Sequence, residues 1–544
     1  MLPLERRWSP QIRRFRRRRA TAYQEAYREE GKGGTKGDDP VPDEAAPPRK
    51  PSLPLATGSR RGRSHVPPPL GVGGDGGEKG VDFVSHLPDA VLGIIISLLP
   101  SKDGGKTRTL SERWRPVWRT APLNLDASDL APGANGAALA VLLTQILLAH
   151  AGPVRRFCIP AQQIHERLAM VEGWLTSPRF NNLEELEFTV PEGPCYRGRL
   201  LPPPPSIFRF SNTLRVAAIS QCRVPDCTSL MLQFPHLKLL SFQQVKIIET
   251  SLHSIIAGCP ALEGLLLRRS YGFRCLRINS PTIRGVAFHS PYCGSHGNGE
   301  VGYHLENVII EFAPCLEKLL HIERSMGLGV RVSVIMAPKL ETLGILDNVN
   351  DGYSRLNFGT VVFKVLALIM DNLSLDRVIK LMICFPCLEK LYIRGIKYGE
   401  TNYWRRKYGK TIKSLNICLK TIVLDDYRGS KPQVQFARFF IWNAAKLENM
   451  IFTSGPNNGN TYVIAEQPKL LEFEKRASET AHFHFRSKKC YYDWVHIKDV
   501  HDLSLSDPFE SRQEDFAEVL CSNLRLMDVV TELKNYIDHV EDLS

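Results

Sequence analysis

FPHLKLLSF (residues 234–242) and CPALEGLLL (residues 259–267) are two copies of one pattern. In each, a proline precedes a leucine, and apolar residues follow it three and five positions later: Leu237/Leu240/Phe242 and Leu262/Leu265/Leu267. The spacing recurs at Leu183/Leu186/Phe188, Leu214/Ala217/Ile219, Ile283/Val286/Phe288, Leu316/Leu319, Leu340/Leu343/Ile345, Phe363/Leu366/Leu368 and Leu388/Leu391/Ile393. Successive starts are 31, 23, 25, 21, 33, 24, 23 and 25 residues apart. Such a unit has one apolar edge that it cannot bury alone. Stacked neighbours produce a continuous core and a curved parallel sheet. Proline ends the segment before several of the strands, as in Ala337-Pro338-Lys339-Leu340 and Phe385-Pro386-Cys387-Leu388. The positions between the leucines then form a large concave surface suited to gripping another protein.

Most of these steps fall in the 20–29 residues of leucine-rich repeats, and two carry insertions. The run resembles the irregular leucine-rich repeats of plant proteins.

Upstream lies VDFVSHLPDAVLGIIISLLPSKDGGKTRTLSERWRPVWRTAPLNLD, residues 81–126. Leu87-Pro88-Asp89 opens a helix with proline in its first turn. Val91, Leu92, Ile95, Ile96 and Leu99 make an apolar stripe, and Pro100 stops it. Ser101 is placed to cap a second short helix, and Ser111 a third that carries Arg113, Trp114 and Trp118. Three short helices bury little surface alone, so they lean on the following domain or on a partner. Leu87-Pro88-Asp89, Leu99-Pro100-Ser101-Lys102-Asp103 and Leu110-Ser111-Glu112-Arg113-Trp114-Arg115-Pro116-Val117-Trp118 resemble an F-box. The resemblance implies docking on a Skp-type adaptor and, through it, a cullin-RING ubiquitin ligase. It implies adaptor contacts at Leu87, Pro88, Leu92, Ile95, Leu99, Pro100 and Trp118. The departure is Gly104-Gly105, where two glycines cost about 1 kcal/mol each in a helix.

After the F-box, Leu139–Leu148 reads as an amphipathic or buried helix. Downstream of the repeats, Leu419/Ile422/Leu424 and Leu447/Met450/Phe452 keep the pattern but enclose a helix. Pro432–Lys446 puts Phe436, Ala437, Phe440, Ile441 and Ala444 on one face, after an Arg428-Gly429 turn. This helix is expected to cap the last strands. Cys418-Leu419-Lys420, Tyr427-Arg428-Gly429, Phe436–Phe440, Asn443-Ala444 and Leu447-Glu448 resemble the FBD domain. Gly455–Asn460 reads as a polar turn. Trp494-Val495-His496-Ile497, His501–Ser504 and Asp507-Pro508-Phe509 resemble the tail common in that group. Phe516–Leu526 and Val529–Val540 read as helices.

The net charge is +13, but residues 1–80 hold 17 Lys+Arg against 10 Asp+Glu, a net of +7, so the remainder carries +6. The basic balance is half a property of this tail, and a nucleic-acid-binding fold is not expected. The tail is rich in Arg, Gly and Pro, and disorder is expected there. Arg13–Arg19 (RRFRRRR) reads as a nuclear import signal, an acidic-polymer contact or a solvated charge run. No apolar run reaches the roughly 18 residues of a membrane span, and no secretory signal is read. Thirteen cysteines, mostly scattered singly, read as reduced thiols of cytosol or nucleus.

No catalytic constellation stands out. Gly105-Lys106-Thr107 has Pro100 where a phosphate loop needs glycine. Cys384 and Cys387 have ligand spacing, but no second pair follows, and both are expected in the core. His289, His296 and His304 lie in or beside a glycine-rich loop, Gly294–Gly302. The expected fold is α/β: a basic tail at 1–80, a three-helix F-box at 81–126, an irregular repeat solenoid at 127–410, an FBD region with its tail at 411–510, and helices at 511–544. The resemblance implies a non-enzymatic substrate receptor of an SCF-type ligase in nucleus or cytoplasm, or a binding protein whose F-box no longer engages the ligase. No cofactor and no metal are expected.

Overall fold

The computed structural model describes residues 87–99, 101–130, 135–190, 198–226, 232–289, 303–322, 330–347, 356–358, 361–397, 416–454, 467, 469–488, 495–510 and 516–517. All belong to the second of the two units into which the chain divides, Met1–Gly80 and Val81–Ser544. The architecture is mixed α/β. Pro88, extended at the N-cap, admits the chain into α1 (Asp89–Leu98). Next come α2 (Ser101–Lys106) and α3 (Trp114–Thr120). Ser111 does not cap α3: Arg113 holds the N-cap, and Ser111 offers its carbonyl to Trp114 N at 3.2 Å.

The chain then enters a sheet. Its strands are β1 (Leu123–Asp126), β2 (Val154–Pro160), β3 (Glu185–Thr189), β4 (Val216–Ser220), β5 (Leu239–Gln243) and β6 (Gly264–Arg268). It continues through β8 (Gly285–Phe288), β10 (Lys318–His321), β12 (Thr342–Asp347), β14 (Val365–Asn372), β15 (Lys390–Lys397), β16 (Thr421–Asp425), β17 (Asn449–Ser454) and β18 (His482–Lys488). These fourteen are parallel and in chain order, and β19 (Phe516–Ala517) adds a fifteenth, antiparallel to β18. The expected helix at Phe516–Leu526 is therefore wrong at its start, where edge pairing with Ser487 and Lys488 fixes a strand. The rest of both C-terminal helices, the Gly455–Asn460 turn, Trp494, His296, Pro100 and the basic tail lie outside the described residues.

The leucine pattern sets the register. Leu186, Ala217, Leu240, Leu265 and Val286 sit side by side across neighbouring strands, and Leu343, Leu366, Leu391, Ile422 and Met450 continue the row. All face one continuous core. At β12 the ladder slips between Leu343 and Leu346, so Leu346 takes the inward place expected of Ile345. Ile345 faces the other way. A one-residue slip flips every following side chain to the opposite face.

The inner face is covered by α4 (Gly136–Ala149), α5 (Gln162–Leu175), α6 (Glu249–Ala257), α7 (Leu375–Cys384) and α8 (Lys431–Asn443). Between α6 and α7 the cover is a second sheet: β7 (Cys275–Asn279), β9 (Asn307–Phe312), β11 (Arg331–Val334) and β13 (Leu356–Phe358), all parallel. Leu276/Ile278, Val308/Ile310 and Val332/Val334 alternate toward the core, as strands require. Helix α8 starts from a capping box of Ser430 and Gln433, just after Gly429 at φ +69°. A Cβ on Gly429 would meet Gln467 Nε2 at 2.6 Å, so the turn needs glycine twice over. Phe436, Ala437, Phe440, Ile441 and Ala444 are buried as their spacing predicts, and Phe439 joins them. Yet α8 does not cap the sheet: β18 continues it beyond β17.

Candidate protein-binding surfaces

The three helices hold a small core of Leu92, Ile96, Trp114, Val117 and Ala121. Arg113 staples the start of α3 to the start of α1: Nε donates to Asp89 Oδ1 at 2.7 Å, and the guanidinium also reaches the Leu87 carbonyl. Gly104 lies in α2 under Ile96 and Trp118, and a Cβ there would find Ile96 Cγ2 at 3.7 Å. A Cβ on Gly105 would meet nothing within 4 Å outside its own helix.

The helices lean on the sheet. Asn124 on β1 donates to the carbonyls of Ser97 and, at 3.3 Å, Leu99. Its Oδ1 accepts from Arg155 Nε at 3.0 Å. Ser101 spends its hydroxyl on the Asn124 carbonyl and accepts from Asp126 N at 3.1 Å. Trp118 stands edge-on to His150, ring centroids 5.0 Å apart, with Arg108 over its face. His150 Nε2 lies 2.9 Å from the Ala121 carbonyl, and Arg179 binds the carbonyls of His150 and Leu147. Burial pulls the imidazole below its ordinary pKa, the Ala121 contact opposes this, and Arg179 reinforces it. A neutral ring suits a joint that is mostly dry.

One apolar face of the helices stays outside. On α1 Ile94 is 61% exposed and Leu98 69%, one turn apart with Val91 at their edge; Leu110, between α2 and α3, is 65% exposed. The residues implied as adaptor contacts divide differently. Pro88 is exposed, and Leu87, Ile95 and Leu99 are half-buried. Leu92 is 0% exposed and reaches no partner while the helices stay packed. Trp118 is engaged with His150. Ile94, Leu98 and Leu110 were not among the expected contacts. Their signal is that Ile94-Ile95-Ile96 and Leu98-Leu99 are apolar in succession, so two stripes of step four, Leu92/Ile96 and Ile94/Leu98, were available and spacing did not say which faces in.

The outer face of the sheet was expected to be open, and over its middle it is not. Residues 495–510 lie on it as a strap whose neck closes where His496 N donates to the Pro508 carbonyl at 2.8 Å. Ile497, Val500, Leu503 and Phe509 are buried with Leu266, Ala287, Leu320, Ile345, Ala367, Ile369 and Tyr392. Leu503 rests on Gly264 and Gly285, where a Cβ would come within 3.3 and 3.4 Å of it. Phe509 rests on Gly344, where a Cβ would stand 2.7 Å from Cζ. Lys318 Nζ donates to the carbonyls of Leu503 (3.1 Å) and Leu505 (2.5 Å). Asp507 accepts from Lys390 Nζ at 2.8 Å and from Tyr392 OH at 2.9 Å. At the strap's tip His501 Nε2 is 3.4 Å from Glu187 Oε1 on β3. Burial, then the Asp507 charge, drives the Tyr392 phenol far above its ordinary pKa. Lys390 is held above its own because Asp507 and Glu510 outweigh its burial.

The motifs weighed for chemistry fall into place without any. Lys106 pairs with Asp103 at 2.6 Å, and Thr107 Oγ1 donates to the Gly104 carbonyl, so GKT is helix. Cys384 and Cys387 are exposed, against expectation. Cys384 falls on the solvent side of α7, whose Leu381 and Met382 face inward, and Phe385 fills the core place between Phe358 and Phe363. The described cysteines are all free. His289 is buried beside His321. Among the described residues, no group of three His, Cys, Asp or Glu is placed to hold a metal, and no helix is long and apolar enough to cross a membrane.

Comparison with known proteins agrees with this organisation. A model described as FBD-associated F-box protein At5g56370, LRR repeats, matches residues 171–393, and an FBD model matches residues 409–452. F-box/FBD/LRR-repeat protein At1g13570 of Arabidopsis thaliana is 28% identical over 208 residues, 37% of this chain and 47% of that one. F-box/LRR-repeat protein At5g02910, also of Arabidopsis thaliana, is 29% identical over 203 residues, 37% of this chain and 41% of that one. In both cases the matched stretch spans less than half of the relative. F-box/FBD/LRR-repeat protein At4g00160 of the same plant is 23% identical over 453 residues, 76% of this chain and 96% of that one. The chain is a plant F-box/leucine-rich-repeat/FBD protein.

Proposed function

We propose that this chain is the substrate-recognition subunit of an SCF-type (Skp–cullin–F-box) ubiquitin ligase. In this reading residues 81–126 form the F-box, 127–410 the repeat solenoid, 411–510 the FBD region with its tail, and 511–544 a C-terminal extension. The observation that carries it is the open face of Ile94 and Leu98 on a helical cluster whose own core is already filled. The relatives' names, which include F-box, support the same reading. Anchors of this kind suit the core of a protein interface of roughly 800 Å² per partner. The helices dock the adaptor, and the sheet domain, joined through Asn124, Ser101 and Trp118, holds a target near the charged ubiquitin carrier. The rate gain is effective concentration; no residue of this chain performs the acyl transfer. The basic run Arg13–Arg19 serves nuclear import, with the protein in nucleus and cytoplasm.

The test is a pull-down of adaptor and cullin with wild-type protein and with Ile94→Asp plus Leu98→Asp. Loss of two anchors costs about 2 kcal/mol or more, some thirtyfold in affinity. Unchanged retention by the double variant overturns the assignment of this face. If wild type retains no adaptor, the chain is a protein-binding scaffold outside the ligase.

A further inference from the structure

The strap is bound to the sheet as a ligand would be. Its backbone hydrogen bonds close on itself: His496 to Pro508, Leu503 to Val500, Leu505 to Asp502. It meets the sheet through side chains, through carbonyls taken by Arg268 and Lys318, and through carboxylates: Asp507 on Lys390 and Tyr392, and Glu510 at 3.6 Å from Lys390. Removing it would leave every ladder from β3 to β15 intact and would bare an apolar trough over Gly264, Gly285 and Gly344. Three cations line that trough, Arg268, Lys318 and Lys390, and strap carbonyls meet the first two: Arg268 Nη1 donates to the Lys498 carbonyl at 3.2 Å. Burial pulls the Lys318 ammonium below its ordinary pKa, with Glu317 and Asp507 opposing. The complement of acid to this floor is seen in the strap itself, where Asp507 and Glu510 both approach Lys390.

We infer that the outer face over β6–β15 is a docking groove for an acidic peptide segment folded as a closed loop, in which an apolar residue is followed four positions on by a carboxylate and six positions on by an aromatic. The strap presents Leu503, Asp507 and Phe509 in that spacing and is the groove's resident occupant, which a target segment richer in carboxylates displaces. This deepens the reading of the chain as a target receptor and rests on it for the identity of the displacing partner; the groove itself stands on the strap's contacts.

The test uses the full chain and a fluorescent synthetic peptide of residues 495–510. The strap-release variant, Leu503→Ala with Asp507→Ala, frees the groove from a competitor held at an effective concentration on the order of millimolar. Saturable binding at least tenfold tighter to this variant than to wild type is expected, with a further loss of tenfold or more when the peptide itself carries Asp507→Ala. A release variant that is folded, with an exchanging strap, yet does not bind the peptide overturns the inference. So does equal binding of both peptides. Should the variant prove insoluble, hydrogen exchange on wild type decides. The amides of 495–510 must exchange faster than those of β14 and β15, by an opening of their own. Exchange only with global unfolding overturns the groove. Adaptor retention is read on other residues, so a chain that loses the adaptor yet binds the peptide refutes the ligase reading and keeps this one.

Discussion

Among the described residues, two apolar faces outside the main core are treated oppositely. On α1 the face of Ile94 and Leu98 is left uncovered. On the outer side of the sheet, an apolar strip is covered by the chain's own residues 495–510. The covering segment follows the covered strands by more than a hundred residues, as in Lys390 with Asp507 and Lys318 with Leu503. An uncovered apolar face on a filled small core calls for a partner. A covered one, floored by glycines that leave room for two particular side chains, shows that the occupant and the floor fit each other. The first face binds outward, and the second must be opened before it binds anything.

The largest expected effect lies on the closed face. Phe509 is buried against Gly344 and stacks obliquely on Tyr392 at 5.3 Å. Phe509→Ala deletes a buried ring, a change of about 3 kcal/mol. Because the strap can open by itself, the cost appears locally. Exchange of the 495–510 amides is expected to speed up on the order of 100-fold, while the melting of β14–β17 changes little. If the whole sheet melts lower instead, the strap is part of the cooperative core and the contrast between the faces disappears.

The next effect separates the two sides of α1. Leu92→Ala removes a fully buried side chain from a small core and is expected to cost about 2–3 kcal/mol. Ile94→Ala, one turn-half away and 61% exposed, is expected to stay within about 0.5 kcal/mol. Chemical denaturation followed by the fluorescence of Trp114 and Trp118 reads both. Equal costs would mean that Ile94 is covered within this chain and that the open face does not exist.

These contrasts mark where the sequence is legible. The inner face was readable because its contacts are local in kind: Leu186, Leu240, Leu265 and Leu366 meet the equivalent residue of the next repeat, so one spacing predicts them all. The α8 helix and the Gly429 turn were readable for the same reason. The slip that exchanges Ile345 for Leu346 was not, because Gly-Ile-Leu offers two adjacent apolar residues and only the ladder chooses between them. The second sheet at β7, β9, β11 and β13 lies between the leucine triplets, and its short alternations were overshadowed by them. The strap was recognisable as a family-like tail, but nothing local in Ile497–Phe509 states which surface it covers. The small residues Gly264, Gly285, Ala287, Gly344 and Ala367 on the sheet are the trace it leaves, and they are informative only once register aligns them. At the helices, an apolar run with no polar side, Ile94-Ile95-Ile96, concealed which stripe binds outward.

A smaller effect tests the helix that departs from its family. Gly105 sits in α2 with open space where a Cβ would stand, so Gly105→Ala is expected to gain about 0.5–1 kcal/mol by lowering the backbone entropy lost on folding. Gly104→Ala is expected to gain less, since its Cβ must settle against Ile96 Cγ2 at 3.7 Å. Thermal midpoints of both variants check this. If Gly105→Ala also tightens adaptor retention, the two glycines weaken docking through the helix and not through lost contacts.

The smallest effect concerns pH and the tip of the strap. His501 faces Glu187 from β3 and Arg156 from β2, with Asp499 on its own segment. The Glu187 hydrogen bond raises the imidazole above its ordinary pKa, burial opposes it, the charges of Glu187 and Asp499 add to it, and Arg156 subtracts. A histidine raised in the folded state stabilises fully below its unfolded pKa and loses that contribution as pH rises through the folded value. The strap is therefore held more tightly at about pH 6 than at about pH 8. The histidine side chain is 40% exposed, so screening keeps the difference under about 1 kcal/mol. Asp499, raised by burial and by Asp502, loosens the strap in the same direction, but in the lower window above the ordinary carboxylate range. His501→Gln separates the two. It is expected to flatten the exchange profile of residues 495–510 between pH 6 and 8, leaving the acidic limb in place. A profile that keeps its neutral limb without the imidazole would show that the tip is anchored by something other than the His501–Glu187 contact, with Arg268 on the Lys498 carbonyl the nearest such anchor.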